Sequence, residues 1–232
     1  MKRDKRLIIS IIIFILCIVL ILFVNKKITK SAFTEVSNNR TIMIDPGHGG
    51  VDGGAVSKTG TVEKDVNLQI SMKLKTALEN LGFKVILTRD GDYGLYKEGQ
   101  SIRSKKIEDL NNRSKLKSQS NCAIFISIHM NIFTETKYYG AQTWYSNNEE
   151  SQIIAHIIQE GLKTDLDNEN NRIEKPANNH YKLLRGDNIP SILVECGFLS
   201  NYEEEQKLLN EEYQDKIAIS IANSINKYYE KD

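Results

Sequence analysis

From Leu7 to Val24 the chain is apolar at every position but Ser10; beyond Arg40 it breaks into short apolar stretches alternating with helical patterns. Thr41–Asp45 is a strand stopped by Pro46-Gly47. Val66, Ile70, Leu74, Ala77, Leu78 and Leu81 recur at three and four, which predicts a helix over Glu63–Leu81 ended by Gly82. Lys84–Thr88 and Ala141–Tyr145 are strands, and Ala123–His129 is a buried one. Ile102–Ser118 is a weaker, mostly charged helix. Glu149–Leu166 is a helix carrying Ile153, Ile154, Ile157, Ile158 and Leu162. Ser191–Glu195 is a strand, and helices over Asn201–Leu209 and Glu212–Tyr229 complete the pattern.

Strands alternating with helices predict an α/β fold: one domain with a mixed, mostly parallel sheet of about six strands and helices on both faces. Three aperiodic stretches, 90–100, 132–140 and 167–181, are candidate rims of a site. The apolar run changes the picture of the N-terminus. Eighteen residues suit a membrane span of roughly 17–25 residues better than the shorter core of a cleaved signal. Residues 1–24 are therefore expected to be a transmembrane signal anchor, 25–40 a polar tether, and 41–232 the folded domain. Four bases precede the run and three follow it, so the denser first flank is placed in the cytoplasm and the domain outside it.

Charge narrows the function. The chain has 31 Lys and Arg against 30 Asp and Glu, but seven of the bases and one acid lie in the first thirty residues. The remainder holds 24 bases against 29 acids, and this mildly acidic surface excludes nucleic acid as a partner. Three cysteines make no disulfide framework. Cys196, next to Glu195 on a strand, points to the opposite face as a small core residue, and Cys122 is expected at the far edge from it.

The polar residues that matter stand where strands stop. The first strand runs into Pro46-Gly47-His48-Gly49-Gly50, the 123–129 strand ends in His129, and the 191–195 strand in Glu195. Glu63 opens the first helix. In an open α/β sheet ligands bind at the carboxyl ends of parallel strands, so these four residues share one edge. Two imidazoles and a carboxylate (His48, His129, Glu63) make a three-ligand zinc site with an open position, and Glu195 is left for proton transfer. Each has an ordinary alternative: a loop histidine, a strand-end histidine bonded to backbone, a Glu favoured by the helix dipole, a Glu paired with Arg. The glycine-rich loop lacks Gly-Lys-Ser/Thr and does not fit the dinucleotide fingerprint, so phosphate cradling fails.

The motifs Ile44-Asp45-Pro46-Gly47-His48-Gly49-Gly50, Asp52-Gly53-Gly54-Ala55, Glu63-Lys64-Asp65, Thr88-Arg89, Ser127-Ile128-His129-Met130-Asn131 and Val194-Glu195-Cys196-Gly197-Phe198 follow one another along the chain. Together they resemble the zinc-dependent N-acetylmuramoyl-L-alanine amidases of bacterial cell walls. The resemblance implies one zinc per chain on His48, Glu63 and His129, with Glu195 as catalytic carboxylate. It implies peptidoglycan as substrate and the amide between the muramic lactyl group and L-alanine as the bond cut. A short apolar segment before a single catalytic domain is most similar to the spore-cortex branch, whose product feeds muramic lactam formation at germination. The alternatives are a vegetative amidase of cell separation or wall turnover, and a zinc-binding wall module without catalysis. A zinc carboxypeptidase is disfavoured, since its His-x-x-Glu would need Glu where Val51 stands. Arg89, Arg113 and Arg185 are candidate anchors for stem-peptide carboxylates, with a surface salt bridge as the alternative for each. Asn131 either contacts substrate or orients His129. His156 reads as structural, and His180 as a cleft-lining residue rather than a ligand. Glu63, at a helix start beside mobile glycines, leaves room for an accessory protein that orders the site.

Overall fold

The structure is a computed structural model that describes residues 40–186 and 188–230. The proposed anchor and most of the tether lie outside the described residues. Among those described, no helix is long and apolar enough to cross a membrane.

Six strands form one sheet: β1 (Thr41–Pro46), β2 (Lys84–Leu87), β3 (Ile124–Asn131), β4 (Gln142–Tyr145), β5 (Lys175–Pro176) and β6 (Ser191–Phe198). Their order is β2-β1-β3-β6-β4-β5. The first four in that order run parallel; β4 is antiparallel to β6, and β5 is parallel to β4. Among the described residues five α-helices accompany them: α1 (Glu63–Asn80), α2 (Ile102–Gln119) and α3 (Glu149–Leu166) between strands, and α4 (Tyr202–Leu209) and α5 (Glu211–Tyr229) after β6. The expected elements are thus present within a few residues, and β5 is an addition too short for any periodic signal.

Alternation along the strands sets the two faces. Ile42 and Ile44, Ile124, Ile126 and Ile128, and Ile192, Val194 and Cys196 turn to one face, where α1, α3 and α5 pack in the main core. Met43, Phe125 and Leu193 turn to the other, onto a smaller cluster with Cys122, Leu183 and Leu184. Cys122 and Cys196 are therefore buried on opposite faces of the sheet. The same alternation puts Asp45, Ser127, His129 and Glu195 on the second face.

Helix α2 covers that second face with a charged stripe. Lys105, Asp109, Arg113 and Lys117, four residues apart, are its buried residues, whereas Ile102, Ile107, Leu110 and Leu116 are exposed. Each buried charge has a partner. Arg113 donates to Asp45 Oδ1 at 2.7 Å, Asp109 Oδ2 at 2.7 Å, Pro46 O at 2.9 Å and His48 O at 2.6 Å. Lys117 donates to Leu183 O at 2.8 Å. Asp45 also accepts from Thr88 at 2.6 Å and Ser127 at 2.7 Å. Burial would raise the Asp45 carboxyl, but Arg113 and the two hydroxyls overcome it and hold it below the usual carboxylate range.

Arg113 is thus neither a substrate anchor nor a surface ion pair, and Arg89 is corrected in the same way. Its guanidinium is buried and donates only to backbone oxygens of Pro46, Gly47, Lys64 and Gly91. Both arginines fasten the loop after β1.

A buried pair broken on one side leaves an uncompensated charge, so Asp45→Asn should destabilise the domain at neutral pH by about 3–5 kcal/mol. A carboxyl held below its unfolded pKa stabilises the fold above that pKa and loses the contribution as pH falls. The gap between wild type and Asp45→Asn in urea melts should therefore narrow from pH 7 to pH 3. A gap that stays constant contradicts the assignment.

Candidate metal centre

The carboxyl edge of the sheet carries the predicted residues. From β1 the chain passes through α1 on one face to β2 on its outer side. It returns through α2 on the other face to β3 on its inner side. The carboxyl ends of β1 and β3 therefore flank a switch point, the place where such sheets bind ligands. His48 lies just beyond β1, His129 within β3 and Glu195 within β6. His129 and Glu195 are register partners on neighbouring strands and share the second face.

Glu63 arrives from a different direction. Its helix start has no side-chain cap. The loop backbone serves instead: Glu63 N donates to Ala55 O at 2.9 Å and Lys64 N to Gly53 O at 3.1 Å. The Glu63 carboxylate then accepts from Ala55 N at 2.8 Å, Met130 N at 3.1 Å and Asn67 Nδ2 at 3.3 Å. The two imidazoles bracket it, with His129 Nδ1 2.9 Å from Oε1 and His48 Nε2 3.2 Å from Oε2. Ligand-type atoms of His48, Glu63 and His129 all lie within 4.8 Å of one another.

Two glycines make this approach possible. A Cβ on Gly47 would stand 2.4 Å from the His129 ring. One on Gly54, whose φ is +70°, would stand 2.5 Å from Glu63 Oε2 and 2.6 Å from His48. His48 itself sits at φ +63°, a conformation uncommon for a side-chain-bearing residue, and Arg113 grips its carbonyl.

Charge is concentrated here. Burial would lower the His48 pKa, but Asp52 and Glu63 raise it to about 9. Glu63 is held well below the carboxylate range: burial opposes this, and bonds to His129 and His48 overcome it. Asp52 Oδ2 lies 2.9 Å from His48 Nδ1, and Asp52 is itself paired with Lys106 at 2.6 Å. This is an imidazole oriented by a carboxylate, as in metal-ligating histidines. Glu195 differs from its neighbours. It is buried, Oε2 has no partner, and Oε1 has only the Tyr181 hydroxyl at 3.5 Å. Burial pushes its carboxyl up to about 7 against the pull of His129. Burial and Glu195 together push the Tyr181 hydroxyl up.

The edge thus gathers all four predicted residues. Arg185 is not among them: it is exposed and donates to Asn179 O. His156 pairs with Glu174 at 3.2 Å on the surface, and His180 is exposed. Asn131 accepts from Leu199 N through its carbonyl. Sequence reasoning missed three supporting residues. Asn67, which also donates to Gly47 O at 3.1 Å, stands four residues after Glu63 on the same helix face, a legible signal. Asp52 lay inside a quoted motif with no role. Tyr181 closes the aperiodic stretch 167–181, expected as a rim of the site, but nothing in the sequence singled it out within that stretch.

Comparison with known proteins identifies the family. Residues 42–227 match the family described as N-acetylmuramoyl-L-alanine amidase. The germination-specific N-acetylmuramoyl-L-alanine amidase of Bacillus subtilis is 39% identical over 194 residues, covering 83% of this chain and 81% of that protein. The CwlD amidase of Clostridioides difficile, solved in complex with the GerS lipoprotein, superposes with a TM-score of 0.81 at 48% identity, covering 84% of this chain and all of that one. A second amidase structure, from Clostridium difficile 630, gives 0.71 at 35% identity over 84% of this chain and all of that one. Matched over residues 42–227, nearly its whole described length, the chain belongs to the N-acetylmuramoyl-L-alanine amidases of peptidoglycan.

Proposed function

We propose that His48, Glu63 and His129 hold one zinc ion and that Glu195 is the proton-transfer group of the amidase. The observation that carries this reading is the buried, unpartnered Glu195 Oε2 on the strand beside His129, outside the three-residue cluster. Two imidazole nitrogens and a carboxylate are the donor set of catalytic zinc sites, which keep a fourth position open. A zinc ion there supplies the Lewis acidity that polarises an amide carbonyl and acidifies water. Asp52 fixes the His48 ring, and Asn67 with the Met130 N–H fixes the Glu63 carboxylate. Glu195 takes a proton from the attacking water and delivers it to the departing alanine amine. Its partnerless oxygen is the free acceptor for this task.

The spore cortex is the proposed setting, with the bare muramic residue feeding lactam formation. The germination-specific name of the Bacillus subtilis relative and the CwlD likeness support it. The apolar run at 7–24 supports a membrane-anchored enzyme whose domain lies outside the cytoplasm. The GerS lipoprotein bound to the CwlD relative supports an accessory protein for this chain too.

Three results are expected. The purified protein should hold about one zinc per chain by elemental analysis, and His48→Ala and His129→Ala should lose it; equal metal in all three sinks the ligand set. Glu195→Gln should keep its zinc while release of muropeptide products, read by mass spectrometry, falls roughly 10²–10⁴-fold. Loss of zinc in that variant would make Glu195 a ligand instead. The full chain should stay in the membrane fraction through an alkaline wash; recovery in the supernatant contradicts the anchor.

A further inference from the structure

We propose that the groove over β4 and β5 is a saccharide subsite, continuous with the reaction site, that receives a pyranose ring of the glycan strand against Trp144 and Tyr181. The proposal rests on the amidase reading above and names where the sugar chain lies.

Strand register places this groove. Gln142 of β4 is the partner of Glu195, and Trp144, two residues on, turns to the same face opposite Leu193. Lys175 of β5 is the partner of Trp144 on its other side. Tyr181 closes the gap: its hydroxyl is 3.5 Å from Glu195 Oε1 and its ring centroid 5.5 Å from that of Trp144, tilted by 55°. Tyr181 is therefore a wall common to the reaction site and the groove. The cavity of about 550 Å³ is bounded by Trp144, Lys175, Pro176, Asn178, His180 and Tyr181, a size in the range of small-ligand pockets.

The chemistry of the walls selects the occupant. Trp144 is partly exposed, yet its indole nitrogen is buried without a partner. What it offers to solvent is carbon surface, a stacking platform rather than a hydrogen-bonding edge. A pyranose matches this: one face is a patch of C–H groups, and its rim is hydroxyls and amides. Asn178 and His180 stand at the groove margin to meet such a rim. An extended peptide fits less well. The β5 edge is two residues long, and Pro176 has no N–H to join a ladder. The one charged lining residue is Lys175, whose ammonium lies 5.7 Å from the Trp144 ring, so the carboxylates of a stem peptide would meet a single exposed cation.

Trp144 is the only tryptophan of the chain, so fluorescence excited selectively at tryptophan, beyond the absorption of the tyrosines, reports this groove. The full chain in detergent is titrated with peptide-free N-acetylglucosaminyl-N-acetylmuramic acid oligosaccharides and, separately, with free stem peptide. A saturable change with the glycan and none with the peptide is expected. No response to glycan, or saturation by the peptide alone, overturns the subsite. In kinetics on glycan-linked substrate, Trp144→Ala should raise KM roughly 3–10-fold with kcat within about twofold, and Trp144→Phe should recover most of the loss. An unchanged KM in a folded Trp144→Ala protein also overturns it, and the wild-type titration decides alone if that variant does not fold. Turnover of intact wall by the zinc-loaded wild type, with a GerS-type lipoprotein supplied, separates the two readings: turnover without a glycan response sinks the subsite only, whereas a glycan response without turnover sinks the catalytic roles proposed above and leaves the subsite standing.

Discussion

The guanidinium of Arg113, shut away from water, organises the carboxyl edge of the sheet. Its Nη1 neutralises Asp45 near the end of β1 and also donates to the Pro46 carbonyl, while its Nη2 holds the carbonyl of His48. Arg89 takes the Pro46 carbonyl from another side and adds that of Gly47. Two buried cations thus clamp three successive carbonyls of the loop that presents the first imidazole. Burying them would be prohibitive without full hydrogen bonding, and backbone oxygens supply most of it. His48 sits at positive φ inside this network, whose bonds to the flanking carbonyls offset the strain of that conformation.

From that clamp the centre is assembled by elements far apart in sequence. A loop brings His48, a helix start brings Glu63, and strands bring His129 and Glu195. The helix start is capped by carbonyls of the same loop, which ties Glu63 to the segment that carries His48. Glu63, at a helix start, accepts from several donors, while Glu195, on β6, has an oxygen with none. Two carboxylates in one site are thereby driven to opposite states: one ionised and fixed, one poised near neutrality.

Much of this was legible in the sequence. The strands that carry His129 and Glu195, and the one that leads into the His48 loop, declared themselves as short apolar runs meeting a polar residue, although β3 and β6 continue to Asn131 and Phe198, and α1 did so through its three-and-four spacing. What escaped did so for a physical reason. Periodicity finds apolar stripes, and the buried stripe of α2 is Lys105, Asp109, Arg113 and Lys117, so its inner face looked like an outer one. The same inversion made Arg89 and Arg113 look available to substrate. A charge is visible in a sequence; the ring of backbone carbonyls that buries it is not. Tyr181 and β5 lie in a stretch whose course is set by tertiary contacts and carries no period.

The central claim is that three residues ligate a metal and Glu195 stands apart from it. Diffraction from crystals of the zinc-loaded protein, collected on both sides of the zinc absorption edge, tests this directly. The account predicts one anomalous peak within bonding distance, roughly 2.0–2.2 Å, of ligand atoms from His48, Glu63 and His129, with both Glu195 oxygens farther off. A peak bonded to Glu195, or one located away from this edge of the sheet, would contradict it.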